Sequence, residues 1–338
     1  MKIKELRVTA PNQVELRETE ADLRIERDDE LIVRTHYSHV SAGTELACLA
    51  GVEEWFQIPG TPGYTAVGEV VAVGDAVPDV RPGDRVFTYG PHRSHVKITW
   101  GDRWHGVCVP VPDGLDGDRA AFAHVANIAL TAIRRSDIEL GDAVAVSGLG
   151  TIGNLAAQLA QLQGARVLGA DVNDTRLDVA RRSGIDRVVN PTTTDWNRAV
   201  ADFTGGRGVT TFIDATGRSA VVEQNLPNVA TNGEVILLGS PRAPHTADLT
   251  TTLRAVHLLS NVTLRGALEF SLPTFPDDLH KHSIQRNVAV AMELIRMGKL
   301  RLDALYTHRL SPAACQRAYD GLRDEPDAYV GVVFDWLS

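Results

Sequence analysis

The chain has 338 residues, of which 43% are hydrophobic and 23% charged, and this composition excludes a disordered or fibrous protein. Its length exceeds that of a typical single hydrophobic core, which predicts two domains. The formal net charge is −9, from 34 basic and 43 acidic residues without a basic cluster. That balance argues against nucleic acid or an anionic membrane as a partner.

No apolar run approaches the roughly 18 residues of a membrane-spanning helix. The first residues, Met1–Leu6, alternate like a strand and contain no apolar signal core. We therefore expect a cytoplasmic protein that does not enter a membrane. The three cysteines, Cys48, Cys108 and Cys315, are far apart and are expected to be buried free thiols.

Strands and turns dominate residues 1–125. Runs of β-branched residues bounded by turn residues predict strands at Glu30–Thr35 and Gly68–Gly74. Proline and glycine interrupt the region at Ile58–Gly63 and Arg81–Asp84. This pattern predicts an irregular β-rich first domain.

From residue 126 to about residue 270, short apolar strands alternate with helical stretches. The predicted strands are Ala143–Ser147, Arg166–Ala170, Arg187–Val189, Thr211–Ile213, Glu234–Leu238 and Val262–Gly266. Such alternation is typical of βαβ units, so the fold class is α/β with a doubly wound parallel sheet. Residues 271–338 follow with a proline-broken loop, an amphipathic helix and a closing strand at Val330–Phe334.

The sharpest motif is a glycine turn that follows the strand Ala143–Ser147. Gly148, Gly150 and Gly153 form a G-x-G-x-x-G pattern that leads into a helix with one apolar face. Gly148 permits the tight turn, Gly150 lets the backbone approach a pyrophosphate, and Gly153 permits close packing of helix and sheet. The helix N-terminus then presents backbone N–H groups to the phosphates, which predicts a dinucleotide site.

The acidic residue Asp171 ends the next strand, about 20 positions beyond the glycines. A carboxylate there accepts hydrogen bonds from the ribose diol of NAD and repels the 2′-phosphate of NADP. The sequence therefore favours NAD over NADP. Arg176 is close enough in sequence to reach either the ribose or its phosphate, which leaves NADP as the less favoured alternative.

Five segments together resemble the medium-chain dehydrogenase/reductase family, particularly its alcohol and polyol dehydrogenase branch. They are Gly63–Gly74, Pro82–Val86, Asp171–Asn173, Asp214–Gly217 and Leu237–Ser240. The resemblance implies a Rossmann domain and a β-rich GroES-like catalytic domain, to which residues 271–338 return. It implies homodimers or homotetramers that form through the edge strand Val262–Gly266. It also implies further cofactor contacts from Thr151, Ile152, Val172, Asn173, Arg176, Ala215, Thr216, Leu238 and Gly239.

The departures from the zinc-dependent members concern the metal ligands. Ala42 stands where the resemblance implies the first ligand, Tyr64 and Thr65 replace a histidine and a glutamate, and His124 stands at the third position. The cysteine-rich lobe of the structural zinc is missing. Because a catalytic zinc needs three protein ligands, we expect no zinc in this chain. A relocated site is the alternative, although the spacings of the 11 histidines match no zinc pattern.

Without a metal, proton transfer must come from side chains. We expect His124 to be the general acid and base, because its ordinary pKa of about 6.5 suits transfer near neutral pH. Tyr64 is expected to donate a hydrogen bond to the substrate oxygen and Thr44 to relay the proton. Glu45 is expected to orient Tyr64 or His124. Each of these positions also has an ordinary structural interpretation, as packing or capping.

The substrate is expected to be a small molecule. Trp55 and Phe56 are equally compatible with a substrate pocket and with core packing. The leading hypothesis is zinc-independent, NAD-dependent interconversion of a secondary alcohol and its ketone, with a polyol, cyclitol or sugar alcohol as substrate. The alternatives are a metal-free enoyl or quinone reductase and a non-catalytic dinucleotide-binding redox sensor.

Overall fold

The computed structural model describes all residues, Met1–Ser338, and divides into two compact units. The first unit contains residues 1–124, 272–298 and 306–338, and the second contains residues 125–271 and 299–305. Residues 299–305 thus belong to the second unit. This corrects the expectation that the whole segment 271–338 returns to the first domain.

The chain forms fifteen strands and ten α-helices. The strands are β1 (Lys2–Ala10), β2 (Gln13–Glu20), β3 (Glu30–His39), β4 (Ala66–Val73), β5 (Arg85–Thr88), β6 (His95–Thr99), β7 (Cys108–Pro110), β8 (Ala143–Ser147), β9 (Arg166–Ala170), β10 (Arg187–Val189), β11 (Val209–Asp214), β12 (Val229–Leu237), β13 (Thr263–Gly266), β14 (Tyr306–Leu310) and β15 (Gly331–Asp335). The helices are α1 (Ala42–Leu49), α2 (Gly117–Ala120), α3 (Ala123–Arg135), α4 (Thr151–Leu162), α5 (Asp174–Arg182), α6 (Trp196–Thr204), α7 (Ser219–Asn225), α8 (Leu249–Arg254), α9 (Ile284–Arg296) and α10 (Cys315–Asp324).

The first unit is built on β-structure, as the sequence predicts. Its main sheet has the order β14-β15-β3-β4-β5-β7, with β6 paired to β3, and a separate hairpin joins β1 and β2. Strand β3 runs to His39, beyond the predicted end at Thr35, because its last residues pair with β15 at Val333. Strand β15, close to the C-terminus, therefore lies next to β3, close to the N-terminus, in the same sheet.

The second unit contains the predicted parallel sheet, with the order β10-β9-β8-β11-β12-β13. The central strand β8 is buried at all five positions, which explains its uninterrupted apolar sequence. Strands β9 and β10 lie on one side of β8, and β11 lies on the other. The chain order reverses at this point, and in open parallel sheets ligands bind beyond the carboxyl ends of strands at such a reversal.

Three smaller expectations have an outcome in the fold. All three cysteines are buried free thiols, as predicted. Helix α9 ends at Arg296, so Met297 lies outside it and is 55% exposed, although the sequence grouped Met297 with the apolar face. None of the helices is both long and apolar enough to cross a membrane.

Candidate active site and cofactor site

A buried imidazole lies at the start of α3 in the first unit. His124 is 1% exposed, and its Nδ1 is 3.1 Å from the backbone oxygen of Tyr64 and 3.1 Å from Thr65 Oγ1. Its ring stacks on Tyr89, with centroids 4.1 Å apart and planes at 5°, and meets the Tyr64 ring edge-on at 4.7 Å. These four contacts fix the position and the plane of the imidazole.

The contacts of His124 also assign its tautomer. A backbone carbonyl oxygen only accepts hydrogen bonds, so Nδ1 carries the proton and donates it toward Tyr64 O. In this tautomer the lone pair resides on the other ring nitrogen, Nε2. The structure thus brings together His124 and Tyr64, two of the residues that the sequence selected for proton chemistry.

Glu45 does not orient either of those residues. Its carboxylate is 1% exposed and accepts hydrogen bonds from the backbone N–H of Ser41 at 2.7 Å, from His92 Nε2 at 3.0 Å and from the Tyr319 hydroxyl at 2.6 Å. On the other side of the His92 ring, Nδ1 lies 2.8 Å from Ser38 Oγ. The expectation that Glu45 orients Tyr64 or His124 is therefore wrong, because other donors occupy both of its oxygens.

We call Ser38, Glu45, His92 and Tyr319 the buried polar network. All four side chains are at most 1% exposed. Burial, with a contribution from Glu45, holds the pKa of Tyr319 well above its ordinary value, so its hydroxyl remains a donor. The serine–histidine–glutamate chain has the connectivity of a hydrolase triad, but Ser38 is 0% exposed and also accepts from Trp336 Nε1 at 2.9 Å. Its role is therefore structural.

The remaining predicted residues of the first unit lie on or near α1. Thr44 is half-buried on α1, next to Glu45. Phe56 is half-buried and packs against the hydrophobic core formed around Leu49 and Tyr319, which supports its structural interpretation. Trp55 is 63% exposed, and its indole N–H donates to Glu53 at 2.9 Å.

The side chains at the ligand positions do not fit a zinc ion. Ala42 has no donor atom, and the Thr65 hydroxyl bonds to the imidazole of His124. The nearby His92 uses both ring nitrogens in the buried polar network. Nowhere in the chain do three histidine, cysteine, aspartate or glutamate side chains converge in an arrangement that could hold a metal. The donor set thus lacks the three ligands that a catalytic zinc requires.

The glycine turn of the second unit fits a dinucleotide. Gly148 has a φ of +87°, which favours glycine, and a Cβ on Gly153 would lie 1.8 Å from the Gly148 oxygen. A Cβ on Gly150 would meet nothing within 4 Å, so this side of the turn is open to a ligand. Thr151 and Ile152, both half-buried, begin α4, where no side chain caps the backbone N–H groups. These N–H groups suit a pyrophosphate.

Asp171 follows β9 at the edge of this turn and is 6% exposed. Its carboxylate accepts hydrogen bonds from the backbone N–H of Leu149 at 2.7 Å and of Asn173 at 2.9 Å. Arg176 Nη1 is 3.8 Å from Asp171 Oδ2, and Asn173 caps α5 through the N–H of Arg176. Val172 is 66% exposed beside them. Asp171 therefore joins the glycine turn to the position expected for the ribose.

The ends of β11 and β12 bring the other predicted cofactor residues together. The backbone N–H of Thr216 donates to Asp214 Oδ1 at 3.0 Å, and the N–H groups of Leu238 and Gly239 donate to Asp214 O at 2.9 and 2.8 Å. Burial raises the pKa of Asp214, while donors from Thr216 and Gly217 oppose the rise. Ala215 also lies at this end, half-buried. A cavity of about 290 Å³ adjoins them, lined in part by Asp214, Gly217 and Gly239.

Sequence reasoning missed four residues near the candidate active site. Thr65 and Tyr89 contact His124, His92 organises the buried polar network, and His39 is buried close to both histidines. Only Thr65 carried a signal, since it replaces the glutamate of the resembled motif. The other three lie outside any motif.

Comparison with known proteins gives two matching family models. Residues 27–117 match the alcohol dehydrogenase GroES-like domain, and residues 151–283 match the zinc-binding dehydrogenase model. L-threonine 3-dehydrogenase of Escherichia coli is 28% identical over 314 residues, covering 84% of this chain and 86% of that protein. D-guloside 3-dehydrogenase of E. coli is 33% identical over 174 residues, which span 51% of this chain and only 49% of that relative.

A solved structure shares the fold over nearly the whole length. Galactitol-1-phosphate dehydrogenase from E. coli superimposes with a TM-score of 0.84 at 19% identity, covering 98% of this chain and 99% of that one. The combination of a GroES-like unit and a doubly wound sheet is thus shared with a dehydrogenase of known structure.

Proposed function

Because the chain belongs to the medium-chain dehydrogenase/reductase family, in its alcohol and polyol dehydrogenase-like branch, we propose that it interconverts a secondary alcohol and its ketone with NAD and without zinc. The observation that carries this proposal is the fixed, buried imidazole of His124, whose assigned tautomer makes Nε2 the base. A nicotinamide dinucleotide held at the glycine turn and Asp171 would supply the acceptor or the donor of the hydride.

In the oxidative direction, His124 removes the hydroxyl proton. The Nδ1–H bond to Tyr64 O keeps the ring in the tautomer that leaves Nε2 basic, and it stabilises the imidazolium once Nε2 is protonated. Stacking on Tyr89 holds the ring plane while its charge changes. In the reductive direction, the same nitrogen returns the proton to the alkoxide.

The developing oxyanion needs a donor in the absence of a metal. The Tyr64 ring meets the His124 ring edge-on, and we assign its phenol to the substrate oxygen, with Thr44 as the proton relay. A preorganised hydroxyl donor lowers the barrier when it is aimed at the position where charge develops. This arrangement takes over the stabilisation that a Lewis acid provides in metal-dependent relatives.

Two observations support the choice of cofactor and substrate class. The Asp171 carboxylate at the end of β9 disfavours a 2′-phosphate, which supports NAD. Two of the similar proteins are named for sugar-type alcohols, a guloside and a sugar-alcohol phosphate. We therefore propose a polyol, cyclitol or sugar-like alcohol as the substrate.

The test is a panel of secondary alcohols, ketones and enones, followed by cofactor absorbance with NAD and NADP, and repeated after treatment with a zinc chelator. We expect turnover of alcohols and ketones with NAD that the chelator does not change. Loss of activity on chelation, with recovery on adding Zn²⁺, would refute the metal-free mechanism. Reduction of enones alone would identify an enoyl or quinone reductase, and NAD binding without any turnover would indicate a sensor.

A further inference from the structure

The last residue of β3 is a histidine whose polar atoms have no partner within the protein. His39 is 2% exposed, and neither Nδ1 nor Nε2 makes a hydrogen bond. Its ring lies against Phe122, with centroids 4.3 Å apart and planes at 51°. Its backbone is fixed by the pairing of β3 with β15, opposite Val333.

Buried polar groups in native proteins are almost always hydrogen-bonded, because an unpartnered one costs folding free energy. The two neighbouring histidines follow this rule. His92 bonds through both ring nitrogens to Ser38 and Glu45, and Nδ1 of His124 faces Tyr64 O and Thr65 Oγ1. His39 does not follow this rule. It lies beside the candidate active site, where a bound ligand would supply the missing hydrogen bonds.

The chemistry of His39 defines the kind of ligand that suits it. Burial, with smaller contributions from the nearby His92 and His124, lowers its pKa to about 3. The ring is therefore neutral and offers one N–H donor and one lone-pair acceptor. A hydroxyl group, which both donates and accepts, matches either nitrogen, whereas a carboxylate or a phosphate would match only one.

We propose that His39 binds a second hydroxyl of the substrate, adjacent to the carbon that reacts, and so selects vicinal diols over simple alcohols. This inference rests on the proposed alcohol dehydrogenase function. It makes His39 a specificity-determining residue, distinct from His124, which moves the proton. The substrate class narrows accordingly to polyols and cyclitols with neighbouring hydroxyls.

The first test compares two alcohols that differ by one adjacent hydroxyl, trans-1,2-cyclohexanediol and cyclohexanol. The native protein is expected to prefer the diol in kcat/KM, and His39→Leu is expected to reduce the ratio of the two kcat/KM values roughly tenfold, the value of one net hydrogen bond. His39→Asn keeps a donor and an acceptor and is expected to recover part of the ratio. An unchanged ratio in His39→Leu would overturn the inference.

The second test measures stability and needs no turnover. Because His39 has no partner to lose, His39→Leu is expected to keep or raise the midpoint of thermal unfolding. The matched control His92→Leu leaves Glu45 buried with one donor fewer and is expected to lower that midpoint. A drop in His39→Leu comparable with that of His92→Leu would show a structural role and overturn the inference.

A third measurement separates failure of this inference from failure of the proposed function. The ring ¹⁵N resonances of His39, assigned by their loss in His39→Leu, are expected to shift when trans-1,2-cyclohexanediol is added together with NAD. A shift without any turnover would refute the dehydrogenase proposal while supporting diol binding at His39. Turnover of the diol without a shift would refute the role of His39 alone.

Discussion

Replacing Glu45 with alanine is expected to destabilise the first unit strongly. The substitution removes an acceptor with three hydrogen bonds and leaves the Tyr319 hydroxyl, His92 Nε2 and the Ser41 N–H buried without it. A hydrogen bond to a charged group contributes about 1.5–3 kcal/mol, and such contributions do not add fully. Breaking a buried charged network by removing one member costs about 3–5 kcal/mol, which is our expectation for Glu45→Ala.

Urea unfolding followed by circular dichroism and tryptophan fluorescence measures this loss. Trp336 donates to Ser38 in the same network, so its fluorescence reports on the affected region. Glu45→Gln keeps an acceptor for two of the donors and is expected to cost less than Glu45→Ala. Glu18→Ala, which removes an exposed ion pair with Lys2, is the control and is expected to leave the midpoint unchanged. A loss below about 1 kcal/mol in Glu45→Ala would contradict the structural role of the network.

Four further predictions address chemistry, cofactor, assembly and pH. His124→Ala is expected to lower kcat by roughly 10²-fold, because the proposed general base is lost. Steady-state kinetics measures kcat, and unchanged NAD binding is the control. An unchanged kcat would contradict the assignment. Asp171→Asn removes the negative charge that disfavours a 2′-phosphate, so the ratio of NADP to NAD affinities, measured by fluorescence titration, is expected to rise about tenfold. We propose that the chain forms a homo-oligomer through the edge strand β13, where Leu264 is 42% exposed. Leu264→Glu is therefore expected to reduce the mass measured by light scattering. A monomeric mass for the native protein would refute the proposal. Acidification from pH 7 to pH 5 is expected to destabilise the native protein more than it destabilises the His39→Leu variant. The reason is that a histidine in the unfolded chain gains a proton below about pH 6.5, whereas buried His39, with a pKa of about 3, stays neutral. The free energy of unfolding of both proteins, measured at both pH values, tests this difference.

The architecture of the second unit was predictable because its signals are local. The apolar run of β8, the glycines that follow it and Asp171 at the end of β9 lie within about thirty residues, and each has one conformational interpretation. Strand ends were less predictable. The sequence does not predict that β3 continues beyond Thr35, because His36 and Ser38 are polar. The pairing that extends the strand is with β15, almost three hundred residues away in the sequence.

The candidate active site was predictable only in part. The sequence selected His124 and Tyr64 through their positions in the resembled motifs, and the structure places their rings in contact. The partners of Glu45 were not, because Tyr319 is 274 residues away and no periodicity relates the two. His39 carries no motif at all, and its significance lies in the missing hydrogen bonds, which are a property of the folded structure alone.

The charges at the ligand positions of the first unit support our proposal of a metal-free site. A catalytic zinc commonly binds anionic ligands, and an unbound site would leave their charges buried. Here Ala42, Tyr64 and Thr65 stand at the ligand positions, and none of them brings a carboxylate or a thiol. The buried carboxylate of Glu45 accepts hydrogen bonds from three donors of the protein itself. The ligand positions thus bring no anionic side chain whose charge a metal ion would have to balance, which supports our proposal that His124 transfers the proton.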